Sequence, residues 1–243
     1  MVPGAAGTVN RAEAVCYYRD PHSRWPTEAG TKAVLDNWLQ RWKDGRTGWH
    51  EADGNVMLRR HWPRLMRGSR VLVPLCGKTV DMLWLARQGL DVTGVEVSEI
   101  AIREFFDEHG LAYRLSSGDG LPSYTAVDVP VKIVCGDYMS FDDGPFHSLY
   151  DRGALVAVAA ADRPAYVQHT RTLLEADAYR LIITLTYDDA RAAGPPHSVS
   201  DTELLGYWPD LQCVESRNDI ERSPPKFRQA GLDEVIESVW IPR

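Results

Sequence analysis

The chain has 243 residues, 44% of them hydrophobic and 25% charged, and its formal net charge is −7. The length suits one domain with a substantial core, and the acidic balance argues against a nucleic-acid partner, because phosphate binding needs clustered Lys and Arg. No apolar stretch reaches the ~20 residues that span a bilayer and no signal-peptide core is visible, so no membrane partner is expected.

The cysteines and the basic residues indicate no special chemistry. The four cysteines are Cys16, Cys76, Cys135 and Cys213. They are isolated, with none of the Cys or His spacings typical of metal sites, so we expect no bound metal. Reduced thiols are the default in the cytosol, and a cytoplasmic protein is predicted. The basic cluster between Arg59 and Arg70 is more typical of a solvated helix face than of a binding surface.

The start of the chain differs in composition from the rest. Residues 1–30 are rich in Gly, Ala, Pro and charge, with chain breakers at Pro3-Gly4 and Trp25-Pro26, and they are predicted to form a loose extension. No internal repeat is visible in the remainder of the chain. Residues 31–243 are therefore predicted to form a single domain.

Two helices are predicted before the alternating part of the chain. The first is expected from a cap at Thr31 to a stop near Gly45, and the second from Asn55 to Met66. Trp38 and Trp42, four residues apart, share the apolar face of the first helix. Core packing is the usual reason for such a stripe.

The remainder alternates between strand and helix patterns. The predicted strands are Val71–Pro74, Asp91–Val97, Val131–Cys135, His147–Asp151, Arg180–Tyr187, Val214–Ile220 and Val235–Trp240. Helices are predicted between them at Thr79–Gln88, Ile100–His109 and about Asp162 to Glu175, and a surface loop at Ser116–Pro130. The alternation predicts an α/β fold with a doubly wound, mostly parallel seven-stranded sheet that ends in an antiparallel hairpin.

The first strand–helix–strand unit carries the most informative motif. Its turn, Pro74-Leu75-Cys76-Gly77-Lys78, contains one glycine, and its second strand ends at Glu96, about 20 residues later. An acid at this position reaches both hydroxyls of a ribose. A turn with one glycine lacks the converging N–H groups of a pyrophosphate site, which argues against an NAD-dependent dehydrogenase. These residues favour S-adenosylmethionine; a flavodoxin-like unit without a ligand is the alternative.

Four separated segments resemble one family. They are Asp36–His50 (DNWLQRWKDGRTGWH), Pro74–Glu99 (PLCGKTVDMLWLARQGLDVTGVEVSE), Tyr150–Val158 (YDRGALVAV) and Leu185–His197 (LTYDDARAAGPPH). Together they resemble thiopurine S-methyltransferase and its bacterial relatives, and the pairing of PLCGK with DRGAL is specific. The resemblance implies a class I, Rossmann-like methyltransferase fold with an N-terminal helical cover, S-adenosylmethionine as the methyl donor and a sulfur nucleophile as the acceptor.

The resemblance also implies a set of donor contacts. The expected cofactor-binding residues are Trp38, Trp42, Leu75, Gly77, Glu96, Asp137, Tyr138 and Arg152. Asp137 and Tyr138 are expected to bracket the adenine, with turn-forming residues as the alternative. Trp38 and Trp42 are expected to cover the donor, because aromatic rings exclude water and a sulfonium is attracted to a π face.

A second set is implied for the acceptor. The expected acceptor-binding residues are Trp49, Arg152, Pro195, Pro196 and His197, and the expected catalytic residues are Arg152 and Asp151. A guanidinium stabilises a thiolate, and Asp151 is expected to orient either Arg152 or the ammonium group of the donor. A structural Asp–Arg pair is the alternative for Asp151. The corresponding position of the family is not normally histidine, so an exposed loop histidine is the alternative there.

The expected reaction is an in-line transfer of the donor's methyl group to the sulfur of a small thiol or thione. Aromatic thiols and thiones ionise near neutral pH, so no dedicated base is expected. Three alternatives stay open: a selenium or tellurium oxyanion as acceptor, a nitrogen or oxygen acceptor, and a protein that binds the donor without turnover. A monomer whose partner is a small molecule is predicted, with the physiological acceptor left open.

Overall fold

The computed structural model describes residues 28–47, 51–117 and 120–243. Its helices are α1 (Glu28–Lys43), α2 (Val56–His61), α3 (Asp81–Arg87), α4 (Glu99–Glu108), α5 (Arg163–Thr172), α6 (Asp201–Tyr207) and α7 (Pro225–Gln229). Its strands are β1 (Arg70–Pro74), β2 (Asp91–Glu96), β3 (Tyr113–Ser116), β4 (Ser123–Ala126), β5 (Val131–Cys135), β6 (Phe146–Arg152), β7 (Leu174–Thr186), β8 (Leu211–Asn218) and β9 (Ile236–Pro242). No helix in these ranges is long and apolar enough to cross a bilayer.

All strands lie in one sheet, in the order β3-β4-β5-β2-β1-β6-β7-β9-β8. The central strands β5, β2, β1, β6 and β7 run parallel, and the strands at both ends pair antiparallel. Each of the seven predicted strands is present, and the predicted terminal antiparallel pair is β8 with β9. The mostly parallel α/β prediction is therefore confirmed.

The described sheet has nine strands rather than seven, because β3 lies just before the predicted surface loop Ser116–Pro130 and β4 lies inside it. Strands β3 and β4 pair antiparallel and extend the sheet beyond β5. Tyr124 in β4 is buried and packs with the rings of Phe106 and Tyr113. β4 has only four residues, and its one large buried side chain lies among small and polar residues. The sequence therefore shows no clear alternation there that would predict a strand.

Helix boundaries differ from the predictions at two places. Helix α1 begins at Glu28, before the predicted cap at Thr31. Helix α2 begins as predicted, since the side chain of Asn55 accepts hydrogen bonds from the first helical N–H groups, but it ends at His61. Trp62 takes an extended conformation because Pro63 follows it, and the helical region is disfavoured for a residue that precedes a proline.

Of the predicted N-terminal extension, residues 1–27 lie outside the residues that the structure describes.

Helices on both faces of the sheet bury two hydrophobic cores. Residues of α2, α3 and α4 pack with one set of strand side chains, and residues of α5 and α6 pack with the other. The alternation along a strand separates the two: Leu181 and Ile183 belong to the first core, and Ile182 belongs to the second. Both faces of the sheet are thus covered by helices, which is the doubly wound arrangement that the sequence predicts.

The sheet also fixes where a ligand can bind. β1 pairs with β2 on one side and with β6 on the other, so the strand order reverses at β1. In open α/β sheets, ligands bind beyond the carboxyl ends of the strands at such a reversal. The turn that contains Gly77 follows β1, Glu96 is the last residue of β2, and Arg152 is the last residue of β6.

Candidate active site

A cavity of about 750 Å³ opens at the carboxyl ends of β1, β2 and β6. This volume is typical of a site for a small molecule or cofactor. Residues of α1, of the turn after β1 and of the segment between β8 and α7 line it as well. Most of the predicted site residues therefore face one cavity, and they divide into a donor end near Glu96 and an acceptor end near Arg152.

The donor end is built around the carboxylate of Glu96. One of its oxygens accepts the N–H of Gly77 at 2.8 Å, and the other accepts the N–H of Ser98 at 2.8 Å. Ser98 also caps α4 with its side chain, so the orientation of the carboxylate is tied to a helix start. Leu75, between β1 and Gly77, has φ of 45°, an unusual conformation for a residue with a side chain. The turn is thus held in a specific shape by its contact with β2.

Burial changes the acidity of Glu96, which is only 5% exposed. Desolvation raises the pKa of its carboxyl to about 7, although the N–H groups of Ser98 and Gly77 oppose the rise. A ligand with two adjacent hydroxyl groups would stabilise the ionised form by donating to it. The donor end therefore fits the ribose of an adenosine cofactor: it offers a buried carboxylate beside a turn in which Gly77 has no side chain.

Helix α1 closes over this turn through Trp42. Gly77 has φ of 54°, and a Cβ added to it would lie 3.2 Å from Cζ2 of Trp42. Only glycine is compatible with both the conformation and the contact. Trp42 is buried, whereas Trp38 lies partly exposed on the cavity wall with the guanidinium of Arg41 over its ring at 5.0 Å. Trp42 therefore packs in the core against Gly77, and Trp38 forms part of the cavity wall.

Asp137 and Tyr138 line the donor end beyond β5. The carboxylate of Asp137 accepts the N–H of Met139 at 3.1 Å and so caps a short 3₁₀ turn. Tyr138 is buried, and its hydroxyl lies 2.9 Å from Oγ1 of Thr170 in α5. Both residues have a structural role in the turn, and both keep a surface on the cavity where the adenine is expected.

The acceptor end contains an ion pair that the sequence did not predict. Nη2 of Arg152 donates to Oε1 of Glu51 at 2.7 Å, and the side chains are 21% and 29% exposed. Burial would lower the pKa of Arg152, but Glu51, Tyr150 and other nearby groups raise it above its usual value. Glu51 is 101 residues away in sequence and belongs to no motif, so only the fold brings the pair together.

Asp151 does not line the cavity in the described structure. Its carboxylate accepts the N–H of Leu155 at 3.0 Å and the hydroxyl of Tyr166 at 2.7 Å. Burial raises the pKa of Asp151 to about 6. These contacts shape the turn after β6 that presents Arg152, so the arrangement favours a structural role for Asp151 over contact with either substrate.

A second carboxylate, Asp81, joins three elements next to the cavity. One oxygen accepts the N–H of Asn55 at 2.7 Å, and the other accepts the hydroxyl of Tyr150 at 2.7 Å. Asp81 begins α3, Asn55 caps α2, and Tyr150 lies in β6. Asp81 therefore fixes the segment that carries Glu51 to the strand that carries Arg152. An acid at a helix start is common in sequences, and nothing there indicated this role.

The segment after β8 and the strand β9 complete the acceptor end. Nη2 of Arg217 lies 2.6 Å from Glu237, and its Nε lies 3.4 Å from Asp219. Glu237 is buried in β9, and burial raises the pKa of its carboxyl. Arg222 lines the cavity from the exposed side. These charges alternate in sign, so they leave no surplus of positive charge.

The Pro195-Pro196 loop lines the cavity as predicted, and Lys226 holds it. Nζ of Lys226 donates to the carbonyl groups of Ala193 at 2.6 Å and Pro195 at 2.8 Å. The hydroxyl of Tyr187 donates to the carbonyl of Pro196 at 2.6 Å. The segment that contains Lys226 is not part of the four segments that resemble the family, and the hydrogen bonds described for Lys226 are with the loop.

His197, another residue predicted to bind the acceptor, is placed differently. The His197 ring lies against Gly194, where an added Cβ would be 2.1 Å from its Nδ1, and the residue is half-buried but outside the cavity lining. Burial, and then the charges of Arg163 and Lys226, lower the pKa of His197. Trp49 lies outside the described residues, so its expected contact with the acceptor stays a prediction.

Comparison with known sequences places the chain among one group of enzymes. The sequence model of the family described as thiopurine S-methyltransferase matches residues 33–243. The thiopurine S-methyltransferase of Bordetella petrii is 43% identical over 211 residues, which cover 84% of this chain and 95% of that protein. The thiopurine S-methyltransferase of Xanthomonas campestris pv. campestris is 42% identical over 214 residues, which cover 84% of this chain and 96% of that protein.

Solved structures with the same fold are more distant in sequence. A Burkholderia thailandensis 1,6-didemethyltoxoflavin-N1-methyltransferase, with bound 1,6-didemethyltoxoflavin and S-adenosylhomocysteine, is 20% identical with a TM-score of 0.57, and the match covers 89% of this chain and 90% of that one. A Thiobacillus denitrificans methyltransferase in complex with S-adenosylhomocysteine is 14% identical with a TM-score of 0.50, covering 74% and 87%. At these identities the likeness shows the fold alone.

Proposed function

The chain belongs to the thiopurine S-methyltransferase family, and on that premise we propose that it methylates the sulfur of a small thiol or thione of the thiopurine type. It is an S-adenosylmethionine-dependent methyltransferase. The sulfur acceptor and the roles of the site residues are proposals that go beyond family membership. The observation that carries them is the placement of Arg152 on the wall of the same cavity as Glu96, at the end of a strand two positions away.

At the donor end, Glu96 would hold the ribose hydroxyls, and the Leu75–Gly77 turn would contact the amino-acid part of the cofactor. Asp137 and Tyr138 would contact the adenine, and Trp38 and Trp42 would cover the donor. When bound, S-adenosylmethionine supplies an already activated methyl group on a sulfonium. The protein then has mainly to align the acceptor and exclude water.

At the acceptor end, the guanidinium of Arg152 would stabilise negative charge on the acceptor sulfur. Pro195 and Pro196 form a wall whose carbonyl groups are already bonded to Lys226 and Tyr187. A wall fixed in advance lowers the entropic cost of ordering it around an acceptor. We assign Trp49 to the same end, and Asp151 to shaping the turn that presents Arg152.

The test of this function is an acceptor panel with a variant of Arg152. We expect the purified protein to methylate mercaptopurine and aromatic thiols. Arg152→Gln is expected to lower kcat/KM for these acceptors by about 100-fold, because it removes a charge that the sulfur needs, while the calorimetric affinity for S-adenosylhomocysteine stays nearly unchanged.

The other outcomes separate the alternatives. Loss of S-adenosylhomocysteine affinity alone in Arg152→Gln would remove Arg152 from the acceptor end. Turnover of selenite, tellurite or an amine with no turnover of any thiol would replace the sulfur acceptor. Binding of S-adenosylhomocysteine without turnover of any acceptor would favour a donor-binding protein.

We also propose that the protein acts in the cytoplasm on a small molecule, with no nucleic-acid or membrane partner. The formal net charge of −7 opposes binding to phosphates. Among the described cysteines, Cys76, Cys135 and Cys213 are reduced, and Cys76 and Cys135 are buried. The charge supports the absence of a nucleic-acid partner, and the reduced thiols support the cytoplasmic location.

A further inference from the structure

Among the described residues, the arginines of the acceptor end lie beside carboxylates before any acceptor binds. Arg152, Arg217 and Arg222 lie among four carboxylates, those of Glu51, Asp81, Asp219 and Glu237. An acceptor that arrived as an anion would compete with the carboxylate of Glu51 for the guanidinium of Arg152. The pair therefore favours an acceptor that enters as a neutral thiol and loses its proton inside the cavity.

Glu51 is placed to take that proton. Its Oε1 is bonded to Arg152, the residue proposed to stabilise the acceptor sulfur, and both side chains line the cavity. Its Oε2 accepts Nδ2 of Asn55 at 3.3 Å, and Asn55 is fully buried at the start of α2. The carboxylate is therefore fixed by two separate contacts, and its exposed fraction of 29% leaves a route for the proton to solvent.

The surrounding groups leave Glu51 as the candidate. Asp81 accepts two hydrogen bonds from Asn55 and Tyr150, and Glu237 is buried against Arg217. Asp219, beyond β8, faces Arg217. The titratable groups near Glu51 are Arg152 and Tyr150 in β6, Glu237 in β9, and Asp219. Of these four groups, Arg152 is the one that forms an ion pair with it.

We propose that Glu51 is a catalytic residue that accepts the acceptor's thiol proton while Arg152 passes from the carboxylate to the thiolate. The S–H bond breaks, its electron pair stays on the sulfur, and the proton binds a carboxylate oxygen of Glu51. Arg152 exchanges one counter-ion for another, so the net charge of the cavity does not change. The inference rests on the proposed function and adds to it a means of using thiols that are protonated at neutral pH.

The test compares two acceptors that differ in ionisation. para-Nitrothiophenol is a thiolate at neutral pH, and benzyl mercaptan is a neutral thiol. In Glu51→Gln, kcat/KM for benzyl mercaptan is expected to fall about 100-fold, as for loss of a general base. For para-nitrothiophenol it is expected to stay unchanged or to rise, because the variant removes a negative charge that competes with the thiolate for Arg152.

The pH profile provides a second readout. In Glu51→Gln, kcat/KM for benzyl mercaptan is expected to rise about tenfold per pH unit up to the pKa of the thiol, because only pre-ionised thiol reacts. The wild-type protein is expected to show a shallower dependence. Glu51→Asp, which keeps the carboxylate, is expected to restore part of the activity. The matched control is Glu234→Gln, which removes one exposed charge in the turn before β9 and is expected to change neither acceptor.

Each outcome of these measurements supports or overturns the role of Glu51 as the base. Equal losses for both thiols in Glu51→Gln would show that Glu51 only positions Arg152, and no loss for benzyl mercaptan would also overturn the proposal. Retained calorimetric affinity for S-adenosylhomocysteine would show that the variant is folded with an intact donor end. If the wild-type protein methylated neither thiol, the sulfur acceptor itself would be wrong, which is a separate failure.

Discussion

At the scale of single residues, the donor end depends on a carboxylate that is buried before its ligand arrives. Both oxygens of Glu96 already accept a backbone N–H, so its orientation does not need to change on binding. The remaining lone pairs are available to hydroxyl groups. The pKa of Glu96 is raised because its carboxylate is buried in a site from which water is excluded.

Donor affinity is therefore expected to depend on pH. The pKa of Glu96 is about 7 in the protein, so below that pH its carboxyl is protonated. Donation from two ribose hydroxyls favours the ionised form, so binding must release the proton, and affinity is expected to fall by up to about tenfold per pH unit below about pH 7. Above that pH it is expected to level off. Titration calorimetry with S-adenosylhomocysteine in buffers of different ionisation enthalpy measures both affinity and proton release.

The control is Glu96→Gln, whose amide places a donor opposite the N–H of Gly77 or Ser98. We expect it to weaken S-adenosylhomocysteine binding by about 10- to 100-fold and to abolish the proton release. If the wild-type protein bound with equal affinity at pH values on either side of 7, Glu96 would not be the group that meets the ribose.

At the scale of elements, the two ends of the cavity are connected through the start of α3. Asp81 accepts bonds from the cap of α2 and from β6, and it comes soon after the turn that contains Gly77. A displacement of α2 would therefore move Glu51 relative to Arg152. The geometry of the acceptor end is set by this contact between elements more than by any local sequence preference.

Asp81→Ala is expected to lower the free energy of unfolding by about 2 to 4 kcal/mol, because it leaves the N–H of Asn55 and the hydroxyl of Tyr150 buried without their partner. Urea denaturation measures the change. Asp91→Ala, at an exposed acid that begins β2, is the matched control and is expected to stay within about 0.5 kcal/mol of wild type. Equal effects of the two substitutions would show that Asp81 does not join the elements.

The elements of the central sheet can be predicted from the sequence because each is a local pattern. β1, β2 and β5 are apolar runs bounded by turns, and Asn55 is a typical helix cap. The hairpin of β3 and β4 was missed because its buried residues are few: Tyr124, which packs on Phe106 of α4, and the small side chain of Ala126.

The site residues also divide into those that a local sequence pattern predicts and those that only the fold brings together. Gly77 and Glu96 were predicted because a turn and a strand end have a fixed spacing in a β-α-β unit. Glu51, Asp81 and Lys226 were missed because their partners are distant in sequence, and pairing at that distance has no periodic signature. For Asp151 the sequence predicts the position, at the end of β6, but not the direction of the side chain, which points to Tyr166.

At the scale of the whole molecule, the two edges of the sheet decide whether copies of the chain associate. One edge is β3, which has four residues, and the other is β8, which carries Glu215 and Arg217 among its residues. Short strands and charged residues at an edge disfavour pairing with another chain.

We therefore expect a monomer of 27.3 kDa in solution. Size-exclusion chromatography with light scattering measures the mass directly. A species of twice that mass would show that an edge or another surface pairs, and the prediction would be wrong.

The position of β9 has a consequence for how the chain is made. Synthesis runs from the N-terminus, so β1, β2 and β5, which frame the donor end, are complete well before β9, which lies between β7 and β8. Until β9 emerges, β7, the longest described strand with 13 residues, has an unpaired edge that includes Ile182 and Ile183. Between the synthesis of β7 and that of β9, the nascent chain therefore has an open edge that contains buried apolar residues of the final fold. Unpaired strand edges of this kind make a folding intermediate prone to aggregation.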